Sequence, residues 1–271
     1  MTHPTVAILG AGSMGEIFAR GLLRAGWEPQ DLSLAVRRAE RARELEFTTG
    51  AMTTRVLNEA VEGREVLIVA VKPKDVPIVL DEIAEAVTPS QIVVSIAAGV
   101  PLAVFEESLP NVPVVRAMPN TPSAADLGMT AYTVGSSVDD DHTDLARSVL
   151  AAVGETIEVS EDLLDAVTAV SGTGPAYVFL MAEALIEAAI REGLPHHAAE
   201  KLVHQTVRGA GELLATSDKS AFRLRGEVTS PGGTTAAAMH VLEDGGFRAL
   251  LENAVRSAAN RSRELGKRAS E

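Results

Sequence analysis

Three glycines near the start of the chain have a spacing that suits a nucleotide phosphate. Gly10, Gly12 and Gly15 follow a short apolar run and lead into a helical stretch that begins with Ser13 and Met14. Gly10 permits a tight turn, Gly12 lets the backbone approach a pyrophosphate, and Gly15 lets the helix pack on the strand. The free N–H groups and dipole of a helix N-terminus favour an anion there. The pattern predicts a dinucleotide site; the alternative is a glycine turn without a ligand.

The end of the second predicted strand indicates which dinucleotide would bind. An NAD site usually has an acidic residue there, which accepts a hydrogen bond from the ribose 2′-hydroxyl. This chain has Arg37 and Arg38 instead. Guanidinium groups suit a 2′-phosphate, so we expect NADPH, with NADH possible. The alternative is a pair of solvated arginines at a helix start, where cations are mildly unfavourable.

Residues at the ends of three further predicted strands extend this expected site. They are Val71, Lys72 and Pro73 after one strand, Ala97 after the next, and Asn120 after a third. Open α/β sheets bind ligands at this edge. Lys72 is either a proton donor or, since no neighbouring residue in the sequence would activate it, a solvated lysine. Asn120 either contacts the nicotinamide or only satisfies the backbone of its loop.

A second glycine-rich segment lies far along the chain and carries hydroxyl groups. Ser230 precedes Gly232 and Gly233, and Thr234 and Thr235 then enter a predicted helix. Such a helix start presents several N–H groups to one anion. The alternative is an ordinary turn in which Thr234 or Thr235 is the N-cap.

Composition excludes several other classes of function. The chain has 271 residues, no cysteine, and 37 acidic against 24 basic residues, for a formal charge of −13. Without cysteine, disulfides and thiolate sites are impossible, and no sequence pattern for a metal site occurs. A net negative charge argues against nucleic-acid partners. The longest uncharged runs are interrupted by glycine and proline, so we expect no membrane span. The N-terminal residues show neither a basic region nor an apolar region of the kind a signal peptide has. We therefore expect no signal peptide and a cytoplasmic protein.

The order of the predicted elements indicates an α/β fold. Helical stretches alternate with five short apolar runs, and this pattern predicts a parallel sheet of the Rossmann type. The five runs are Val6–Gly10, Leu32–Val36, Val66–Val71, Gln91–Ile96 and Val112–Met118. Thr130–Val134 and Glu155–Val159 are two further expected strands. The later sequence is alanine-rich and helical, which predicts a dinucleotide-binding domain at 1–160 and an all-α domain at 161–271.

One helix of the second domain is apolar nearly all round. Between Pro175 and Glu192, Glu183 and Glu187 form its only polar strip before Arg191. Such a helix must be buried nearly all round, and a segment of about 110 residues offers few partners for that burial. We therefore expect a homodimer with this helix between the subunits; the alternative is the centre of a monomeric bundle.

Taken together, the motifs resemble those of pyrroline-5-carboxylate reductases along nearly the whole chain. The resemblance is carried by Val6–Gly15, Ala70–Pro73, Arg116–Pro122, Ser171–Pro175 and Thr229–Thr235, of which the last is the most specific. It implies a Rossmann domain followed by an all-α dimerisation domain, NADPH or sometimes NADH as hydride donor, and dimers that assemble further, often into decamers. The implied reaction is reduction of the cyclic imine 1-pyrroline-5-carboxylate to L-proline.

The resemblance also implies roles for individual residues. Ser230 and Thr235 would be catalytic and substrate-site hydroxyls, and the amides of Gly232, Gly233, Thr234 and Thr235 would hold the substrate carboxylate. An asparagine that relatives often have near the adenosine is displaced by one position here, at Asn58. Two alternatives stay open: a β-hydroxyacid-dehydrogenase-like enzyme, for which Lys201 would be the only catalytic lysine candidate, and a non-catalytic nucleotide-sensing scaffold.

Overall fold

The strands form one sheet near the start of the chain. The computed structural model describes residues 3–269. Within that range the strands are β1 (Val6–Leu9), β2 (Leu32–Ala35), β3 (Met52–Thr54), β4 (Val66–Val69), β5 (Ile92–Ser95), β6 (Val114–Met118), β7 (Gly128–Val134) and β8 (Gly154–Glu158).

Helices alternate with these strands and then form the remainder of the described chain. They are α1 (Ser13–Arg24), α2 (Ala39–Thr49), α3 (Leu57–Val61), α4 (Val76–Ile83), α5 (Leu102–Ser108), α6 (Asp140–Leu150), α7 (Leu164–Val167), α8 (Gly174–Arg191), α9 (His196–Thr216), α10 (Ala221–Glu227), α11 (Thr234–Asp244) and α12 (Phe247–Ala269).

The sheet order is β3-β2-β1-β4-β5-β6-β7-β8. The first six strands have the order of a dinucleotide-binding Rossmann sheet, which confirms the predicted fold class. The sheet is not wholly parallel, however. β7 runs antiparallel to β6, with Val115 opposite Val134, and β8 then runs parallel to β7. A short connection made of the turn at Thr121–Ala125 joins β6 to β7, and so short a link cannot make a parallel crossover.

Both faces of the sheet are buried, which explains the apolar runs in the sequence. Along β1, Val6 and Ile8 belong to one hydrophobic cluster, whereas Ala7 and Leu9 belong to the other. Successive side chains of a strand point to opposite faces. A strand that is covered on both faces is therefore apolar at nearly every position. The missed strand β3 is short and contains two threonines, so it lacks this signature.

The chain divides into two compact units. One runs through Thr173 and also takes in the segment from Ala258, and the other is Gly174–Ser257. The sequence alone placed a boundary after residue 160. In the structure, the segment 161–173 and the end of α12 belong to the first unit instead of the second. The Ser262 hydroxyl of α12 donates to Asp165 in that segment at 2.5 Å.

Ser171–Pro175 contains the glycines and the proline that were expected to interrupt one of the uncharged runs, and the structure is helical there. Thr168–Gly172 forms a π-helical turn that leads into α8. The backbone N–H and the hydroxyl of Thr173 both donate to the Thr168 carbonyl, at 2.8 and 2.9 Å. A Cβ on Gly172 would lie 2.9 Å from the Met118 methyl carbon, so a larger residue there would have to move the end of that side chain. Helical structure therefore continues where Gly and Pro suggested an interruption.

In the second unit, α8 packs against α9, yet no residue of α8 is buried within the chain. Phe179 is 66% exposed and Leu180 65%. The continuous helical stretch Glu161–Arg191 is, by length and composition, long and apolar enough to cross a membrane. The expectation that glycine and proline interrupt this apolar run is corrected accordingly, and the exposed apolar surface requires a cover outside the single chain.

Candidate functional site

The three glycines after β1 have three different surroundings. Gly10 has a φ of +92°, and a Cβ there would lie 2.4 Å from a Val71 methyl group. A Cβ on Gly15 would lie 2.8 Å from the Gly10 carbonyl oxygen, so Gly15 allows α1 to pack on the strand end. On Gly12, by contrast, the nearest such atom is 3.9 Å away. Protein packing therefore does not require a glycine at position 12, and a ligand approaching the backbone would.

The N-terminus of α1 offers unused amides beside Gly12. Gly12 is the N-cap residue and has no side chain to cap the helix. The first intrahelical bond runs from the Glu16 N–H to the Gly12 carbonyl at 2.9 Å. The amides of Ser13, Met14 and Gly15 precede this bond and have no partner within the helix. They form the anion-binding end that the sequence predicted for a pyrophosphate.

A cleft of about 440 Å³ opens at the carboxyl ends of β1, β2 and β4. It brings together six of the residues predicted to bind cofactor: Gly10, Gly12, Arg37, Arg38, Val71 and Lys72. Lys74 and Arg41 add two more cations to its wall. The open space at Gly12 and this cationic lining fit a dinucleotide carrying a 2′-phosphate.

Arg41 was missed by the sequence analysis, although its position on α2 is a usable signal. It lies in the first turn of α2, three residues after the N-cap residue Arg38. Arg41 donates to both Glu16 and Glu44. Burial raises the pKa of Glu16, but hydrogen bonds from Arg41 and Arg20 outweigh it and hold this pKa below its usual value. The ionised Glu16 fixes Arg41 at the wall of the cleft.

A smaller pocket of about 200 Å³ shares Gly10, Arg37 and Val71 with this cleft. Its remaining lining is largely aliphatic, including Leu57 and Ile78. Apolar walls of this kind suit a flat heterocycle such as adenine. The displaced Asn58 does not reach this pocket; it lines a separate cavity with Thr88, Ser90 and Gln91. Leu57 occupies the pocket instead.

Ala97 and Asn120 follow β5 and β6, farther along the same sheet edge. Ala97 is buried, and its N–H points to the Ser95 hydroxyl at 3.3 Å. The Asn120 side-chain amide donates to the Ser171 carbonyl at 3.0 Å and accepts from the Met129 N–H at 2.9 Å. The side chain thereby joins Met129 in β7 to Ser171, rather than the backbone of its own loop. Neither residue lines the two cavities described above, nor does Pro73, which begins the 3₁₀ turn Pro73–Asp75.

The glycine-rich segment of the second unit ends at an uncapped helix. Gly233 is the N-cap of α11, and no side chain caps this end. The alternative in which Thr234 or Thr235 is the N-cap is therefore wrong, because both lie inside the helix. Gly232 has a φ of +71°, which turns the chain into α11. The amides that follow Gly233 and the hydroxyls of Ser230 and Thr235 are gathered at one helix end, as an anion site needs.

The two sets of residues lie in separate units: the cleft in the first, the Ser230–Thr235 segment in the second. Among the described residues, no group of three or more potential metal ligands occurs. The geometry by itself is that of a dinucleotide cleft and a separate anion-binding helix end.

Comparison with known proteins matches both parts. Residues 5–99 match a family model described as NADP oxidoreductase coenzyme F420-dependent. Residues 161–265 match the model for pyrroline-5-carboxylate reductase dimerisation. A pyrroline-5-carboxylate reductase of Corynebacterium melassecola is 40% identical over 267 residues, covering 97% of this chain and 99% of the relative. The chain belongs to the pyrroline-5-carboxylate reductase family.

Solved structures agree with this assignment. The pyrroline-5-carboxylate reductase of Coxiella burnetii is 38% identical, with a TM-score of 0.91 over 97% of this chain and 98% of that one. The Plasmodium falciparum pyrroline carboxylate reductase, solved with NADP bound, is 29% identical, with a TM-score of 0.87 over 98% and 99% of the two chains. The chain is thus an NADPH-using reductase that converts 1-pyrroline-5-carboxylate to L-proline, and the β-hydroxyacid-dehydrogenase and scaffold alternatives are not favoured. Its second part is a dimerisation domain, so the protein is a homo-oligomer.

Proposed function

We propose that the N-terminal end of α11 holds the substrate carboxylate and that the cleft after β1 holds the cofactor. The observation that carries this assignment is the N-cap at Gly233, which leaves the first amides of α11 without a side-chain partner. We assign the carboxylate to the amides of Gly232, Gly233, Thr234 and Thr235, since a helix N-terminus favours an anion; the Gly233 amide would share its existing bond to the Ser230 carbonyl. Ser230 and Thr235 would add hydroxyl groups around the same ligand.

Cofactor binding is assigned to the residues of the first unit. The amides of Ser13, Met14 and Gly15 and the backbone of Gly10 and Gly12 would hold the pyrophosphate. Arg37 and Arg38, with Arg41 beside them, would hold the 2′-phosphate. Val71, Lys72, Pro73, Ala97 and Asn120 would follow the molecule along the sheet edge toward the nicotinamide. NADH would use the same cleft without the phosphate contacts.

The chemistry needs little from the side chains beyond position and one hydrogen bond. When bound, the cofactor supplies a hydride to the imine carbon. A hydrogen bond at the ring nitrogen makes that carbon more electrophilic, and Thr235 would donate this bond to the nitrogen lone pair. The amide pocket fixes the ring through its carboxylate, so the carbon is held for attack. The carbon gains the hydride and the nitrogen gains one proton from water, which gives proline.

The assembly and location of the protein follow the same proposal. α8 would be buried between two subunits, and the dimers would associate further, as in a decamer. Exposed apolar side chains outside α8, such as Val241 and Leu250 at 69% and 65%, support contacts beyond the dimer. A second subunit that covers α8 also shields its apolar side chains from water, so these side chains do not have to lie in a membrane. With a charge of −13, we place the protein in the cytoplasm, without nucleic-acid partners.

A turnover assay tests the proposed function directly. The full-length protein is incubated with 1-pyrroline-5-carboxylate and either NADPH or NADH, and both proline formation and nicotinamide absorbance are followed. We expect proline to appear in step with cofactor oxidation. A β-hydroxyacid with NADP⁺ serves as the comparison. Oxidation of that acid, without reduction of the imine, would contradict the proposal.

A further inference from the structure

Asp75 and Arg37 face each other across the cofactor cleft. Asp75 ends the 3₁₀ turn after β4, whereas Arg37 follows β2, and β1 lies between these two strands in the sheet. Arg37 Nη2 donates to Asp75 Oδ2 at 2.5 Å. The ion pair therefore joins two loops on either side of the glycine turn.

The two partners are held differently. Arg37 and Asp75 line the larger cleft and also the smaller pocket, whereas the other charged residues that line these cavities each line one of them. The Asp75 side chain is 14% exposed, whereas that of Arg37 is 75% exposed. The guanidinium is thus free to swing toward a ligand, and the carboxylate stays in the wall where the two cavities meet.

We propose that Asp75 selects between the two nicotinamide cofactors. Chains that bind NAD usually carry an acidic residue at the end of β2, where it accepts a hydrogen bond from the ribose 2′-hydroxyl. This chain has arginines there, and the loop after β4 supplies a carboxylate to the guanidinium of one of them, Arg37. The inference rests on the proposed position of the cofactor over Gly12.

The same carboxylate has opposite effects on the two cofactors. The 2′-phosphate of NADPH competes with Asp75 for Arg37, and the two anions repel each other. The 2′-hydroxyl of NADH can instead donate to the carboxylate, which accepts hydrogen bonds in its ionised form. Asp75 therefore limits the preference for NADPH that the arginines create, and it allows NADH to be used.

Binding of adenine nucleotides to the full-length protein tests this role. Dissociation constants of 2′,5′-ADP, 5′-AMP, NADPH and NADH are measured by calorimetry for the wild type and Asp75→Asn. We expect the two 2′-phosphorylated ligands to bind roughly 3- to 10-fold more tightly, the scale of one partly exposed charge interaction. 5′-AMP and NADH should bind no more tightly than before. The gain should shrink at high ionic strength, because salt screens the repulsion.

Asp81→Asn is the matched control. It makes the same change in net charge on α4, is exposed, and lines neither cavity, so it should leave the affinity ratio unchanged. Gly12→Val separates failure of this inference from failure of the proposed site. If that variant still binds NADPH normally, the cofactor lies elsewhere.

The ratio of NADH to NADPH dissociation constants decides the outcome. If this ratio rises in Asp75→Asn but not in Asp81→Asn, the proposal is supported. If the ratio in Asp75→Asn is unchanged or lower, the proposal is overturned, and Asp75 only holds Arg37 in position. Asp75→Ser provides the same test should the asparagine variant fold poorly, and fluorescence of Trp27, the single tryptophan of the chain, reports folding.

Discussion

Gly233 leaves room for the Ser230 hydroxyl at the start of α11. A Cβ on Gly233 would lie 2.4 Å from Ser230 Oγ, and the Gly233 N–H donates to the Ser230 carbonyl at 3.0 Å. The φ of Gly233 is −79°, an ordinary value for any residue. The missing side chain therefore sets the position of Ser230, and backbone strain plays no part.

Gly233→Ala should impair substrate binding while the protein stays folded. The added methyl group must displace the Ser230 hydroxyl from the proposed carboxylate pocket. We expect kcat/KM for the imine to fall roughly 10-fold or more, the scale of one misplaced hydrogen-bond donor, with only a modest fall in Tm because alanine is a poorer N-cap than glycine. Gly226→Ala, in α10, has open space around its Cβ position and serves as the control. Equal activity of both variants would contradict this placement of Ser230.

Gly12 and Gly15 should differ in what they tolerate. A side chain at Gly12 meets little protein but would collide with a pyrophosphate, so Gly12→Val should abolish NADPH binding at nearly unchanged Tm. Gly15→Ala should instead lower Tm, because its Cβ would press on the Gly10 carbonyl. Calorimetric titration with NADPH and thermal melts of both variants measure the difference. Normal NADPH affinity in Gly12→Val would refute the site.

The Arg37→Ala, Arg38→Ala double variant tests the 2′-phosphate contact. Losing charge-assisted hydrogen bonds should weaken NADPH binding by roughly 10- to 100-fold. NADH lacks the phosphate, so its affinity should change little. Titrations with both cofactors check this, and equal losses would show that the arginines do not contact the phosphate.

Thr235 provides the sharpest test of the mechanism. Thr235→Ala removes a hydroxyl whose hydrogen bond to the imine nitrogen would strengthen in the transition state, so kcat should fall roughly 10- to 1,000-fold. Because Gly233 is the N-cap, Tm should change little. Thr235→Ser keeps the hydroxyl and should restore most of kcat. Near-normal kcat in the alanine variant would reject the catalytic role.

The exposed surface of α8 predicts that the monomer is not stable alone. Sedimentation velocity at micromolar concentration should show no folded species of monomer mass, because folding and association are linked. Phe179→Asp places a charge on this apolar surface and should cause dissociation or unfolding. A well-folded monomer of the wild type would contradict the expected dimer.

The class of fold and the positions of both glycine-rich segments could be predicted from the sequence alone. The apolar runs are continuous because β1 is buried on both faces, and the spacing of Gly10, Gly12 and Gly15 follows from local turn geometry. Such features depend on neighbours in the chain, which a sequence displays directly. The resemblance added the reaction and the roles of Ser230 and Thr235, which spacing alone left open.

The contacts between residues far apart in the chain became known from the three-dimensional structure. Arg37 and Asp75 are 38 positions apart, and their pairing depends on β1 lying between β2 and β4. Asn120 contacts Ser171 at a separation of 51, and the antiparallel β7 depends on the short link after β6. Such contacts depend on strand order and close packing. Hydrophobic periodicity records which face of a strand is buried, but it does not record the neighbour that covers it.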